Sequence, residues 1–448
     1  MDFQEFKTLV IAKAQAMEIA EYELYYQVAE SVIAEAFGHE INRFSANNAG
    51  GVCFRCIVDG KMGYASTERL DEKQAEQIVI QAVENGKALE SDEPVFLAAG
   101  GQEYAQASQR SCAFPQTDAL LETVLQTQQA LYDSAPQVVD GSTSRGVAER
   151  LYTAICNSKG LDVASEHVLS ALMVNAVVES CAEKANDFQI KLDRLEQVDI
   201  PALAAKASQT ALSKLGGEPA PTGVYPVVFD PEAMSSLLDA FSGMFSGEAA
   251  QKRLSRLADS LGQKIAATVV NLVDDPDHPD NPMPMTFDGE GSPTYKKYVI
   301  QEGVLHTLLH NLKTANLAGV QTTGNGAKTR YDASVGIQPF TMYLEPGTYS
   351  RDQLLEMAQN GVYIRTLSGL HAGANDVTGD FSLQSEGYLI EDGKLTTHVK
   401  AFTVAGNFYD LLQNITALGN DLELPSPADQ TAFGSPTVLV SSLSVAGK

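Results

Sequence analysis

Apolar residues recur along the chain with two periods, and the switching between them lays out the elements. Phe3, Phe6, Val10, Ala14 and Met17 fall on one face at helical spacing, so residues 3–17 read as an amphipathic helix. Tyr22–Val28 alternates in the two-residue rhythm of a half-buried strand, and Ile33–Phe44 reads as a second. Gly51–Val58 is a third strand, which Asp59-Gly60 turns into Met62–Ser66. The helical period returns at Ala75, Ile78, Val79, Ala82 and Val83 and predicts a helix over Asp71–Leu89. Residues 91–116 show little periodicity and read as a linker. Ala119–Tyr132 is helical, Ala148–Asn157 and Asp162–Val178 are strands about a Ser158-Lys159-Gly160 turn, and Ile200–Leu215 is a helix closed by Gly216-Gly217.

The Pro-rich stretch Glu218–Thr222 marks a domain boundary. After a strand at Gly223–Phe229, Asp230 suits a helix N-cap and Pro231 the first helical position. Met234, Leu237, Leu238, Phe241 and Phe245 then line one face of a helix, and Lys252–Leu261 continues in helical period. A β-branched run at Thr268–Val273 reads as a buried strand, and the proline-rich Pro276–Pro284 as surface loop. The remainder is mostly strand: a Val299–Leu312 hairpin, Thr341–Leu344, Val362–Leu367, Asp380–Ile390, Thr397–Val404 and Thr437–Val445. Short helices are expected at Gln353–Gln359 and Asn407–Thr416, and loop at Pro425–Pro436. The fold class is therefore α+β: sandwich-like α/β units at the N-terminus, then a β-rich C-terminal domain. The expected segments are 1–110, 111–218 and 219–448.

Charge narrows the function. Lysine and arginine number 31 against 57 aspartates and glutamates, a net −26. Nucleic acid and anionic membrane both require cationic patches, so neither is expected as a partner. No apolar run is long enough to span a bilayer, and MDFQEFKTLV has acids where a signal peptide needs a basic region, so a cytoplasmic location is expected. The five cysteines, Cys53, Cys56, Cys112, Cys156 and Cys181, form no disulfide framework, being odd in number in a long chain. Cys53 and Cys56 make a CxxC pair, but in a strand they point to opposite faces, and no second pair or nearby histidine completes a zinc site.

The most informative stretch runs from Val269 to Arg330. It carries Asp274-Asp275-Pro276, then Asp288-Gly289-Glu290-Gly291, then Thr323-Gly324-Asn325-Gly326. Glycines this dense between strands imply tight turns and close backbone approach. DDP, FDGEGSPT and TTGNG, in this order, resemble the TldD/PmbA family, the TldD/TldE peptidases once labelled modulators of DNA gyrase. GGVCFRCIVDGKMGYAST, the Asn157-Ser158 hairpin and Thr378–Ser382 extend the resemblance in both directions. It implies zinc metallopeptidases acting on unfolded or small peptides, in which a TldD-like subunit carries an HExxxH helix with two zinc-binding histidines and a water-polarising glutamate. Laid on that pattern, VVFDPEAMSSLLDAFSGM places Asp239 and Met244 at the histidine positions and Ala240 at the glutamate, with Gly243 where the motif commonly has glycine. The C-terminal cysteine ligand has no counterpart after Cys181. The resemblance thus implies the PmbA/TldE branch: no cofactor in this chain, zinc in a TldD-like partner, and peptide held by strand addition. Gly324, Asn325, Gly326, Gly379, Asp380 and Phe381 are the candidate peptide-binding edges. Two alternatives stay open: a self-contained hydrolase with an unrecognised metal site, and a homodimer that binds peptides without cleaving them.

Other constellations are weaker. His306 and His310 have the spacing of a zinc helix, but Thr307 replaces the glutamate and the Glu302-Gly303 turn argues for strand. Asp274, Asp275, Asp277, Asp280, Asp288 and Glu290 would suit a hard cation, though they match no fixed loop and read as solvated loop acids. The Gly324–Gly326 amides could cradle an anion, and a tight turn is the plainer reading. His371 could act as a base near neutrality but has no visible partner.

Overall fold

The computed structural model describes residues 1–91, 93–106, 113–281, 283–424 and 431–448. The N-terminal half is one antiparallel sheet of six strands in the order β3-β2-β1-β4-β5-β6. These are β1 (Tyr22–Phe37), β2 (Glu40–Val58), β3 (Lys61–Thr67), β4 (Thr143–Asn157), β5 (Asp162–Ser180) and β6 (Glu183–Leu192). Helices α1 (Phe3–Ala16), α2 (Glu72–Ala88), α3 (Thr117–Ser134) and α4 (Ile200–Ser213) cover one face. Even-numbered residues of β1 such as Leu24, Val32 and Ala34 pack under them, while Glu23, Tyr25 and Gln27 face the other way, as the pleat requires. β1 pairs with β4 from Glu23↔Asn157 to Phe37↔Thr143, so the first and middle segments share one sheet.

Several sequence expectations change here. Tyr22–Val28 and Ile33–Phe37 are one strand, and the turn lies at Gly38, with φ +61°, inside the stretch read as Ile33–Phe44. The Asn- and Gly-rich Ser45–Gly51 is strand too, and a Cβ on Gly50 would sit 2.2 Å from the Gln27 carbonyl oxygen. Beyond Val52 toward the hairpin tip, β2 pairs with β1 alone among the described residues. β6 was not foreseen. The 91–116 linker is a docked strap where it is described: Leu97 and Ala98 are buried, and Tyr104 Oη donates to the Gly291 carbonyl at 2.8 Å.

The C-terminal half contains a closed barrel. β7 (Gly223–Phe229) and helix α5 (Pro231–Phe241) are followed by short α6 (Gly247–Gln251), then β8 (Leu272–Asp274), β9 (Lys297–Gln301) and β10 (Val304–Leu305). Next come α7 (Leu312–Ala318), β11 (Gly326–Ala327), β12 (Gly336–Ile337), β13 (Thr341–Leu344), α8 (Arg351–Ala358), β14 (Gly361–Ser368) and α9 (Leu370–Gly373). β15 (Asp380–Glu391), β16 (Lys394–Asn407), α10 (Phe408–Asn414), β17 (Ile415–Leu418), β18 (Ala432–Gly434) and β19 (Val438–Ala446) complete the chain. One sheet runs β16-β15-β14-β7-β19-β17, and β19 returns to β16 through Thr403↔Ala446, which closes it. A second sheet runs β10-β9-β8-β13-β18.

α5 sits in the core that the two sheets share. Asp230 caps it, accepting from Glu232 N–H at 3.0 Å, and Pro231 opens it, as its sequence predicts. Its apolar face packs on residues of both sheets, and Phe241 stacks on Phe408 with centroids 4.6 Å apart. The helix expected over Lys252–Leu261 is only a 3₁₀ turn at Arg256–Asp259, because Arg253 adopts φ +59° and breaks the path. The expected strand Thr268–Val273 shrinks to Leu272–Asp274, and the expected Val299–Leu312 hairpin ends at Leu305. Within Pro425–Pro436, Ala432–Gly434 is strand paired in parallel with β13, and residues 425–430 lie outside the described residues. Among the described residues no helix is long and apolar enough to cross a membrane.

Candidate functional site

The loops between Asp274 and Lys328 fold onto the helix-free face of the N-terminal sheet. There Tyr25, Cys53, Ile155 and Leu161 form one small core with Phe287, Tyr331 and Ala98 of the strap. Cys53 joins this core and Cys56 the one beneath the helices, on opposite faces as the strand pattern requires. Cys112 lies outside the described residues.

Around this contact lies a set of buried charges. Glu23 and Arg55 are directly opposite on β1 and β2, and Arg55 Nε donates to Glu23 Oε1 at 2.6 Å, with side chains 1% and 4% exposed. Asp274 is fully buried. Its Oδ1 accepts from the backbone N–H of Phe340 and Thr341 at 2.9 and 3.0 Å. Its Oδ2 accepts from Lys297 Nζ at 3.0 Å and Asn325 Nδ2 at 2.8 Å. Asp288 accepts three backbone N–H groups, from Glu290 and Ser292 on Oδ1 and from Gly326 on Oδ2. Glu290 Oε2 accepts the Leu312 N–H at 2.7 Å, at the start of α7. Both carboxylates pack on Gly326, where a Cβ would sit 2.8 Å from Glu290 Oε2 and 3.0 Å from Asp288 Oδ2.

Burial governs the protonation of this cluster. It pushes the Glu290 carboxyl up to about 8, with the Asp288 charge adding to the push. Burial also raises Asp288, opposed by its three amides, so the pair holds a proton more readily than two free carboxyls. Burial lowers Lys328, whose Nζ lies 4.2 Å from the centre of the Tyr25 ring.

The reading of these acids as solvated loop residues is therefore corrected. Asp274, Asp288 and Glu290 are buried, and their hydrogen-bond donors come from other segments of the C-terminal domain itself. Asp275 and Asp277 are half-buried, and Asp280 is exposed. Of the Gly324–Gly326 amides only that of Gly326 meets an anion, the chain's own Asp288. The sequence missed Glu23, Arg55, Lys297 and Lys328. A signal existed: Glu23 and Arg55 are lone charges inside otherwise apolar strand runs, YELYY and CFRCI.

The candidate peptide edges carry main-chain bonds of their own. Asn325 is fully buried; its N–H donates to the His310 carbonyl and its own carbonyl accepts from Gln338 N–H. Gly326 donates to Asp288 and accepts from Gly289. Gly324 N–H is bonded to Thr322 Oγ1. Gly379 bonds Asn375 and Phe408, Asp380 bonds Thr378 and Asn375 through its backbone, and Phe381 lies in the core against Phe241. The main chain of these stretches is already bonded within the chain.

His306 is exposed and His310 is buried, on an irregular segment that is neither helix nor strand. His310 Nδ1 meets Thr314 Oγ1 at 3.1 Å, and burial lowers its basicity. At the end of α5, Asp239 and Ala240 border a cavity of about 500 Å³ that also touches His371 and Asp376. Met244 points away into the apolar core and is 1% exposed. Among the described residues no three His, Cys, Asp or Glu side chains come together as a metal site.

Three family descriptions match the chain in order. Residues 22–86 match the PmbA/TldA metallopeptidase domain 1, residues 112–215 the central domain, and residues 222–447 the C-terminal domain. The chain belongs to the PmbA/TldD family. A metalloprotease of Methanothermobacter thermautotrophicus is 28% identical over 86% of this chain and 85% of its own length. A Thermotoga maritima protein described as a modulator of a DNA gyrase is 30% identical, with TM-score 0.90 over 99% of this chain and all of its own. TldE of Thermococcus kodakarensis shares the fold, at 23% identity and TM-score 0.88 over 98% of this chain and 99% of its own.

The resemblance sets Asp239, Ala240 and Met244, at the end of α5 and in the turn after it, against the zinc-binding positions of an HExxxH helix. The residues present do not fit zinc. Asp239 offers one hard oxygen donor, Ala240 has no base to polarise water, and the Met244 thioether is turned into the core.

Proposed function

We propose that the chain is a PmbA/TldE-type subunit of a two-subunit zinc peptidase acting on unfolded or small peptides. A TldD-like partner supplies the metal and the water-activating glutamate. The observation that carries this reading is the end of α5 and the 3₁₀ turn after it, Ser242–Phe245, where the three positions needed for zinc chemistry hold Asp239, Ala240 and a core methionine. The helix is kept for packing, and the metal chemistry is delegated.

In this role the chain walls a shared cavity and holds peptide by strand addition. Main-chain hydrogen bonds give affinity with little demand on sequence, which suits unfolded substrates. The open edge that supports this is β2 from Glu40 to Gly50, beside a groove of about 440 Å³ lined by Gln27, Ala49, Leu151 and Tyr331. The test is zinc content and cleavage of labelled peptides for this chain, a TldD-like protein and their mixture. Zinc near zero in the lone chain and turnover only in the mixture are expected. Stoichiometric zinc or turnover in the lone chain would overturn the reading, as would a TldD-like protein as active alone as in the mixture.

A further inference from the structure

The groove of about 440 Å³ beside the β2 edge runs between the helix-free face of the N-terminal sheet and the Thr329–Tyr331 segment of the barrel domain. Strand register sets out its floor. Ala29 and Leu151 stand opposite each other on β1 and β4, and Glu149 and Leu169 on β4 and β5. Gln27 lies two residues from Ala29 toward one end, and Glu149 two residues from Leu151 toward the other. Four residues of strand rise and one step between strands put their Cα atoms about 14 Å apart.

Two polar groups of this groove lack partners. Glu149 is half-buried, and among the described residues no hydrogen bond or ion pair reaches its carboxylate. Burial alone raises its carboxyl. The neighbouring charges are already answered. Arg150 pairs with Glu30 at 3.1 Å and Glu166 at 3.4 Å, and the fork of Arg330 holds Asp332 at 3.0 and 2.9 Å. Glu68 accepts the Tyr331 hydroxyl at 3.3 Å. Gln27 is only 7% exposed, yet its side-chain amide makes no hydrogen bond among the described residues and is not sealed from solvent. An unmatched amide this deep is costly, and native proteins leave few of them.

The two groups ask for different things. An amide carries both a donor and an acceptor, which matches the main chain of a peptide. A lone carboxylate over an apolar floor matches a cation on a methylene stem, and a chain of net charge −26 draws cations toward it. A metal ion would find one carboxylate too few and would leave the floor and the Gln27 amide unused.

We infer that this groove binds a lysine or arginine of an extended peptide, with the main chain on the Gln27 amide, the stem over Ala29 and Leu151, and the charge on Glu149. The span between Gln27 and Glu149 suits a long side chain and not a short one. The inference rests on the reading that the chain holds peptide, and adds which residue is preferred.

The experiment is fluorescence anisotropy of the full chain with short labelled peptides of alanine and serine. Each carries one central lysine or one norleucine, which keeps the stem and removes the charge. The lysine peptide is expected to bind about tenfold more tightly, from one charge-assisted pair. Glu149→Gln should bring the two within about twofold of each other, and Leu169→Lys, which sets a cation against Glu149, should do the same. Gln27→Ala should weaken both peptides alike, since it removes a main-chain contact. Exposed Glu76→Gln should change neither, which separates the groove from general attraction to an acidic surface. Circular dichroism checks that each variant is folded. Equal affinity of the two peptides for the parent overturns the proposal and leaves peptide holding intact. A lysine preference that survives in folded Glu149→Gln and Leu169→Lys overturns it too. Binding of neither peptide up to about 1 mM overturns the peptide-holding reading along with it.

Discussion

Asp274→Asn tests whether the buried acids hold the C-terminal domain together. The substitution keeps the size of the side chain and one oxygen, which can stay on the Phe340 and Thr341 amides. The second oxygen becomes an NH₂ group facing two donors, Lys297 Nζ at 3.0 Å and Asn325 Nδ2 at 2.8 Å. Two bonds are lost, one of them to a cation that is 4% exposed. Breaking one partner of a buried pair costs about 3–5 kcal/mol, most of it the stranded charge. With a denaturant slope of about 3 kcal/mol per molar urea for a domain of this size, the midpoint should fall by about 1–1.7 M. Lys297→Met should cost a similar amount. The double variant should recover about 1–3 kcal/mol of the summed loss, since neither charge is then left alone. The assay is urea unfolding followed by circular dichroism, with matched slopes. A midpoint within about 0.2 M of the parent, or strict additivity in the cycle, would refute the idea that this pair is a coupled buried unit.

Glu290→Gln should change the pH dependence of stability. A carboxyl raised to about 8 in the folded chain keeps a proton that the unfolded chain, near 4.3, has already released. Stability therefore falls as pH rises from about 4 to about 8, and the amide removes that slope, so the variant should gain on the parent by about 3–4 kcal/mol between pH 5 and pH 8. Parallel unfolding curves at the two pH values would contradict this. Rebuilding the motif as Asp239→His, Ala240→Glu and Met244→His should not create a zinc site, because position 244 faces the core; Met244→His alone should cost about 2–3 kcal/mol for an unmatched polar ring. Zinc at one per chain by metal analysis, with stability kept, would count against that orientation. Thiol labelling at pH 8 should modify exposed Cys181 quickly, and Cys53, Cys56 and Cys156 only on unfolding, since burial both hides them and raises their thiols. Peptide mapping of the labelled chain reads this directly.

The sequence by itself determined what is local. Period-3.6 and period-2 patterns placed α1, α2 and α5, and gave β13 its observed bounds, because burial of one face leaves its mark within a few residues. Asp230 and Pro231 announced the start of α5 because capping involves only the next three residues. The ordered pieces DDP, FDGEGSPT and TTGNG identified the family, since turns and close approaches restrict residue type wherever they occur. What the sequence could not settle was solvation. Asp274, Asp288 and Glu290 look like surface acids beside prolines and glycines. Their donors Phe340, Thr341, Lys297, Gly326 and Leu312 lie between 22 and 67 residues away, beside the nearer loop amides of Glu290 and Ser292. Whether a carboxylate faces water or a closed wall of N–H groups depends on which distant segments arrive beside it. The same holds for the strap read as a linker and for the edges read as open. Those questions were decided only when distant segments of the barrel domain came together and that domain met the free face of the N-terminal sheet, because hydrogen-bond partners and excluded water are properties of those contacts and not of any stretch within them.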